Sequence, residues 1–391
     1  MKEIEKLYLI SQKHEKLVIG LMSGTSLDGL DIALCRIKGN GKQTKVEVEK
    51  FITVPYPTTL INSIRNISKA DVNLEDLCLW NAKLGRTFGE MVNDTLKKWN
   101  VKNEDVDFIC SHGQTIYHAP FIKHQKEKFE NATLQIGDAD HISTITKIIT
   151  LSDFRQKHVA AGGQGAPLAI YGDYILFAEE SNDVALLNIG GIANISFIPK
   201  DKKKKIICTD IGPGNALMDA WMRKIADKPY DSDASMALNG KINIELLEKL
   251  KSHEFFNSAI PKTTGSELFN LEYIHQAIKK CSNKNLLNED VMATLNKLTS
   301  DIIVDFISNL SDNLKIYISG GGVNNPLLIN NIKKNLSFAS FHNTEEKEIP
   351  SDAKEAVLFA ILGNECLSGN VSTFDDIDIP KIKMGKISLE S

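Results

Sequence analysis

Apolar and polar positions first organise over residues 16–36, where an apolar run, a small polar turn and a second apolar run predict a β-hairpin with a wide tip. Alternation returns over 46–54 and predicts a third strand, ended by Pro55 and Pro57. The period then changes to that of a helix over 58–67 and again over 74–99, where Leu77, Trp80, Leu84, Phe88, Met91 and Leu96 share one face. Residues 106–118 read as a short buried strand ending in a polar cluster, and 134–138 as a strand and turn. A short helix over 139–146 is expected to cross to a second lobe, followed by a strand over 148–154. Small residues crowd 159–168, before a helix over 170–179.

The second half opens with strand, Gly-Gly turn and strand over 186–197, and a further strand, turn and helix over 206–221. A short helix stops at Gly240, and longer ones are expected over 242–250, 271–281 and 288–310. Residues 314–319 form a strand into a triple-glycine turn, 327–336 the helix leaving it, and 353–367 an apolar helix suited to pack back on the first lobe. The tail, 371–391, reads as an irregular surface segment, and no internal repeat is apparent.

The chain has 391 residues, 42% of them apolar, enough for two domains with real cores, and its net charge of -4 implies no nucleic-acid partner. Lys200 and Lys202–Lys205 read as a solvated hairpin tip. Six cysteines without a C-x-x-C pair suit a reducing compartment, and neither an apolar leader nor a membrane-length apolar run is present, which predicts a cytoplasmic protein.

Three glycine turns carry the candidate chemistry. At the first hairpin tip, Ser23, Gly24, Thr25, Ser26, Leu27, Asp28, Gly29, Leu30 and Asp31 combine close backbone approach with amides and hydroxyls for phosphate oxygens, and Asp28 and Asp31 offer carboxylates to a hydrated Mg2+. An ordinary Asp-Gly hairpin explains that stretch alone equally well. Asn188, Gly190 and Gly191 form the second turn, and Gly320, Gly321 and Gly322 the third; none ends in the Gly-Lys-Ser/Thr of a P-loop. Phosphate hairpins in two halves followed by a Gly-rich strand-to-helix turn are the layout of the actin, hexokinase and Hsp70 superfamily, whose two lobes close on ATP.

Ser111, His112, Gln114 and Thr115 lie just beyond a strand's carboxyl end, where a substrate is met in α/β sheets, although a satisfied buried histidine accounts for them too. Asp153 and Arg155 follow another strand. Asp210 stands at a strand end before a helix, suited to a general base or to a plain N-cap.

Together with Ala-Gly-Gly-Gln-Gly-Ala-Pro-Leu over 161–168, Leu-Gln-Ile-Gly-Asp over 134–138 and Gly-Pro-Gly-Asn over 212–215, these motifs resemble the anhydro-N-acetylmuramic acid kinase family in order from about residue 18 to 367. The resemblance implies a two-lobed actin-like (ribonuclease H-like) α/β fold with an ATP cleft between the lobes: 1–140 as first lobe, 141–355 as second, and 356–391 returning to the first. It implies hydrolytic opening of 1,6-anhydro-N-acetylmuramic acid with ATP and water, giving N-acetylmuramic acid 6-phosphate and ADP in cell-wall recycling. Asp210 is then the base, Gly24 to Asp31 hold the phosphates, Asp28 or Asp31 faces Mg2+, Asn188, Gly190, Gly191 and Gly320 to Gly322 meet the nucleotide, and His112, Gln114, Thr115, Asp153, Arg155, Gly163, Gln164, Gly212 and Asn215 meet the sugar. A homodimer is what the family suggests. His158, Ser266, Ile211 and Met22 depart from the pattern, where an acid, an Arg, a Thr and an Asp are usual. The rivals are an ordinary amino-sugar kinase that consumes no water, and a sensor that binds without turnover.

Overall fold

The structure is a computed structural model that describes residues 2–69, 71–347, 349–375 and 379–390. The chain divides into two compact units, Met1–Leu176 with Lys347–Ser391, and Phe177–Glu346.

In the first unit, β1 (Glu15–Ser23), β2 (Gly29–Lys38) and β3 (Lys45–Pro55) form an antiparallel meander. β4 (Phe108–Ala119) lies parallel to β1, β5 (Ala132–Ile136) folds back on β4, and β6 (Thr150–Ser152) lies parallel to β4. A strand at Lys386–Ser388 closes the edge against β6. The helix Leu74–Trp99 begins where the Asn73 side chain accepts from the Glu75 amide, and ends at left-handed Asn100. It buries Leu84, Phe88, Val92 and Leu96, the apolar stripe of its sequence. Gly85 and Gly89 on that helix let Ala139–Thr146 pack close, since a Cβ at Gly85 would overlap the Asp138 carbonyl oxygen. Against the sheet lies the helix Lys354–Ser368, and a Cβ at Gly20 would overlap the Ala356 carbonyl oxygen.

In the second unit, β7 (Asp183–Ile189), β8 (Ile192–Ile198) and β9 (Ile207–Pro213) again form an antiparallel meander, with β10 (Leu314–Ser319) parallel to β7 and β11 (Ala339–Asn343) parallel to β10. The helix Asn288–Ile307 is buried along most of its length and, with Ala216–Ala226, fills the core between sheet and solvent.

Both units therefore share one strand order: a three-stranded meander whose first strand pairs with a parallel strand, which pairs in turn with another. This is the ribonuclease H-like α/β topology, present twice. The expectation of no internal repeat is corrected at the level of fold, because a shared topology needs only shared alternation and connection lengths, not shared residues. The expected domain limits are corrected too. The chain leaves the first unit after Leu176, not after 140, and returns at Lys347. Ala139–Thr146 does not cross over; it stays against Leu74–Trp99. The strand expected over 148–154 is only Thr150–Ser152, because Phe154–Ala160 turns helical. Glu3–Gln12 is a helix, β11 was not foreseen, and Lys386–Ser388 gives the tail regular structure, while 376–378 and 391 of that tail lie outside the described residues.

Because backbone meets backbone at Gly20, no rotamer change makes room there. Gly20→Val is expected to lower unfolding free energy by about 3 kcal/mol, read as a lower urea midpoint; an unchanged midpoint would show that the helix Lys354–Ser368 shifts freely.

Candidate active site

The first hairpin tip is held from below. Ser23 Oγ shares a 2.7 Å hydrogen bond with Tyr56 Oη and donates to Gln114 Oε1, while Gln114 Nε2 donates to Gly24 O at 3.3 Å. Gln114 is thus a strut between β4 and the tip. Leu27 sits at φ 62° with its side chain buried, a left-handed conformation unusual for leucine, and Leu30 is core. These two serve the tip through packing. Thr25, Ser26 and Asp28 are exposed, and beyond a 3.7 Å contact with Ser26 Oγ the Cβ position of Gly24 is open. Gly29 is different, since a Cβ there would overlap the Val54 carbonyl oxygen.

Asp31 lies on β2 directly opposite Met22, which places a carboxylate beside the end of β1 across the ladder. Thr53 Oγ1 donates to Asp31 at 2.6 Å. Burial pushes the Asp31 carboxyl above its ordinary range, opposed by the Thr53 bond and reinforced by Asp352 and Asp28. Glu355, which the sequence reading passed over, joins this group. Protein packed around it and the charge of Asp31 push its carboxyl up, while Arg155 opposes them.

Arg155 organises the rest of the unit. Its Nε donates to His112 Nε2 at 2.8 Å and a terminal nitrogen donates to Gly165 O at 2.8 Å. Burial and the guanidinium bring the His112 imidazole down to about 3, so it is neutral, and with Nε2 accepting, its proton sits on Nδ1. That buried Nδ1 has no partner among the described residues. The Gly165 amide donates to His158 Nδ1 at 2.9 Å, and Gly163 covers the His158 ring so closely that a Cβ would overlap it. His158 thus props the small-residue loop whose Gln164 is exposed, and burial brings its imidazole down to about 4. Thr115 accepts from Gln135 Nε2 at 3.1 Å. Asp153 pairs with Lys386 of the C-terminal strand, which ties it to the tail.

In the second unit, Asp210 is half-buried on β9. Its Oδ2 accepts from the Thr264 amide at 2.8 Å and its own amide donates to Lys262 O at 3.0 Å, so residues 262–264 clamp it. It does not cap the helix Ala216–Ala226, whose N-cap is Asn215. Burial raises its carboxyl above the ordinary aspartate value, against the Thr264 bond and with Glu267, a second carboxylate the sequence reading missed.

The two glycine turns of this unit meet. Asn215 N donates to Gly190 O at 2.8 Å, and Gly214 N and Ala216 N donate to Gly191 O at 2.9 and 3.0 Å. Asn215 Nδ2 reaches Ile189 O at 3.4 Å and lies 3.7 Å from the Cβ position of Gly321. Gly320, at φ 86°, and Gly322 pack on Asn188 and Ile189, whereas Gly190, Gly191 and Gly321 have open faces. Gly212 makes room for Ile302 and Phe256, so its lack of a side chain serves packing. Thr299 Oγ1 contacts Pro213 O and Gly214 O, both at 3.0 Å, and Asn296 Nδ2 donates to Asn325 Oδ1 at 3.1 Å. One buried helix therefore braces both turns from beneath, a role that only the fold reveals.

The family model described as anhydro-N-acetylmuramic acid kinase matches residues 16–376. The chain is 48% identical over 99% of its length to a protein of that name from Pseudoalteromonas atlantica, covering 99% of it. It is 45% identical to one from Pseudoalteromonas translucida, over 98% of each. Among solved structures, the activator of the 2-hydroxyisocaproyl-CoA dehydratase from Clostridium difficile with bound ADPNP aligns with 89% of this chain and 96% of its own at 10% identity and a TM-score of 0.41.

Since the Gly24 Cβ position faces open space, Gly24→Val is expected to leave the unfolding midpoint within about 0.5 kcal/mol of the parent. The KM for ATP should rise at least about tenfold through steric exclusion of phosphate oxygens. A folded variant with unchanged KM would remove this tip from nucleotide binding.

Proposed function

The chain belongs to the anhydro-N-acetylmuramic acid kinase family, and from that premise we propose that it opens the 1,6-anhydro bridge of its sugar with water and phosphorylates O6, with Asp210 as the base. The enzyme is an ATP-using kinase of a small amino sugar. The observation that carries the finer reading is the clamp on Asp210: Oδ2 is held by one amide, and among the described residues no hydrogen bond occupies Oδ1. One carboxylate oxygen is fixed and the other is left to take a proton. Raised by burial and by Glu267, the group is a stronger base than a solvated aspartate.

The steps balance as follows. Water attacks the anomeric carbon while Asp210 removes its proton; the bond from that carbon to the bridging oxygen breaks; the released O6 attacks the γ-phosphorus; ADP leaves. In this reading Thr25, Ser26 and the amides of the first tip, with Asn188, Gly190, Gly191, Asn215 and Gly321 of the second unit, hold the nucleotide. His112 Nδ1–H is a buried donor for the sugar, held by Arg155. Gly163 and Gln164 line the propped loop, and Asp153, Thr115, Gly212 and Gln114 act by holding neighbours in place.

Mg2+ fits the first unit. Asp28 is exposed, Asp31 is destabilised as an anion by burial and then by Asp352 and Asp28, and Asp31 in turn disfavours ionised Glu355. A hydrated divalent cation neutralises that mutual repulsion and, when bound, supplies charge compensation for the transferring phosphoryl group. Recycling of cell-wall sugar, a homodimer and a cytoplasmic location, where six free cysteines stay reduced, complete the proposal. Among the described residues no helix is long and apolar enough to cross a membrane.

Asp210→Asn keeps the Thr264 bond and removes the base. Its kcat should fall about a hundredfold to ten-thousandfold, with both substrates still bound. The sign for stability is opposite. A carboxyl whose folded pKa is raised favours folding most when protonated, and that contribution is lost as pH rises through the folded pKa. At neutral pH the variant is therefore expected to melt no lower than the parent. In wild type, kcat/KM should fall on the acid side with an apparent pKa above that of a free aspartate. Reaction in 18O-water should label the anomeric oxygen. A phosphorylated product that retains the bridge, or an unlabelled one formed from a free amino sugar, would replace this reading with an ordinary sugar kinase.

A further inference from the structure

A second polar cavity lies at the opposite end of β1 from the hairpin tip. Lys16, where the strand begins, and Ser23, where it ends, are separated by roughly 23 Å at the rise of a β-strand. The cavity has a volume of about 400 Å3 and is walled by the turn after Glu3–Gln12, by Gly39 and Asn40 after β2, and by Ser368 at the end of the last helix. Lys13, His14 and Lys16 all line it.

Lys16 is the anomaly. It is only 2% exposed, and its ammonium donates to Lys13 O at 2.9 Å. Among the described residues no carboxylate pairs with it. The nearby acids are Asp107 and Glu365, and Glu365 Oε2 has no hydrogen-bond partner among the described residues. Asp107 accepts from Lys13 Nζ at 2.5 Å and from the Leu17 amide at 2.9 Å. Glu365 accepts from the Gly41 amide at 2.8 Å and from Thr44 at 3.4 Å, and burial pushes its carboxyl up, toward the neutral form. Both act on Lys16 only from a distance, and burial pulls its amine down. A buried ammonium with unused donors is destabilising unless an anion meets it. On the same wall Lys13, its ammonium already ion-paired with Asp107, lines the cavity, and the His14 ring makes no hydrogen bond among the described residues.

We propose that this cavity is a binding site for a small phosphomonoester of sugar size, its phosphate on Lys16 and His14 and its hydroxylated body against Asn40 and Ser368. A phosphomonoester carries about -1.5 to -2 charges and three acceptor oxygens, matching the Lys16 ammonium and the His14 imidazole on one wall. The volume is well beyond what a bare phosphate fills, and apart from Leu367 and Gly39 the remaining lining is polar, which suits hydroxyls rather than a lipid or an aromatic ring. The site is independent of the assignment of Asp210 and of the glycine turns.

The test is calorimetric titration at low ionic strength, without ATP, using inorganic phosphate and a hexose 6-phosphate as probes. The hexose phosphate is expected to bind at least about fivefold more tightly than phosphate, and Lys16→Met to raise its Kd at least about tenfold. Lys16→Met should leave kcat unchanged and the protein folded, since it removes a buried unpaired charge in favour of an apolar chain of similar length. Gly24→Val should keep the heat, which separates this cavity from the phosphate hairpin. His14→Gln, at the rim, should weaken binding severalfold and gives a second reading should Lys16→Met unfold. No binding of either probe, equal affinities for the two, or binding indifferent to both Lys16→Met and His14→Gln would overturn the proposal.

Discussion

The second unit depends on a junction of bare backbone. The carbonyls of Gly190 and Gly191 take the amides of residues 214–216, so a hairpin tip and the start of the helix Ala216–Ala226 become one rigid element. It forms only because a Cβ at Gly214 would overlap Gly190 O, and because Gly320 and Gly322 lie equally close over Ile189. With no side chain intervening, these glycine turns present amides and an open face on a single platform. Thr299 and Asn296 fix the platform from the core side, and burial of their partners makes those bonds costly to lose. Asp210 shares the same strand, β9, so the geometry of the platform is also the geometry of the proposed base.

The first unit reaches a comparable end with different residues. Its hairpin tip is pinned by side chains, through Ser23, Tyr56 and Gln114, and by Leu27, held in a left-handed conformation at a cost of roughly 1–2 kcal/mol. Such strain persists only where surrounding contacts over-determine it, and here the buried leucine side chain supplies them. The Met22 and Asp31 pair follows the same logic. The opposite strand places the Asp31 carboxylate beside the end of β1, at the same level of the ladder. A shared strand order with unlike residues is why the repeat is visible in the sheets and invisible in the sequence.

Strand and helix positions were largely legible because periodicity reports burial directly. The helices Thr58–Ile67 and Leu74–Trp99, the strand Leu314–Ser319 and the glycine turns fall where the pattern put them. The crossing point was not legible. Whether Ala139–Thr146 stays or crosses is decided by which partner buries it, and that partner is the glycine face of Leu74–Trp99, distant in sequence. Of the candidate site, the motif glycines and Asp210 were legible as types. Their contacts were not: Gln114 hydrogen-bonds the Gly24 carbonyl, Asp153 pairs with Lys386, Gly212 leaves room for Ile302 and Phe256, and Glu355 and Glu267, in no motif, lie near enough to act on the charge of Asp31 and Asp210.

Those charges place function and stability in opposition. In the first unit burial and like charge push Asp31 and Glu355 up, and in the second they push Asp210 up. Each is therefore less stable ionised in the folded chain than it would be in the unfolded one at neutral pH. A cation near Asp31, or a proton donor offered to Asp210, relieves a penalty that folding itself created. Ligands that do so bind the native state selectively and stabilise it by mass action, in proportion to concentration over dissociation constant. In the proposed reaction, the neighbours that disfavour these carboxylates as anions would strengthen their hold on a cation and on water.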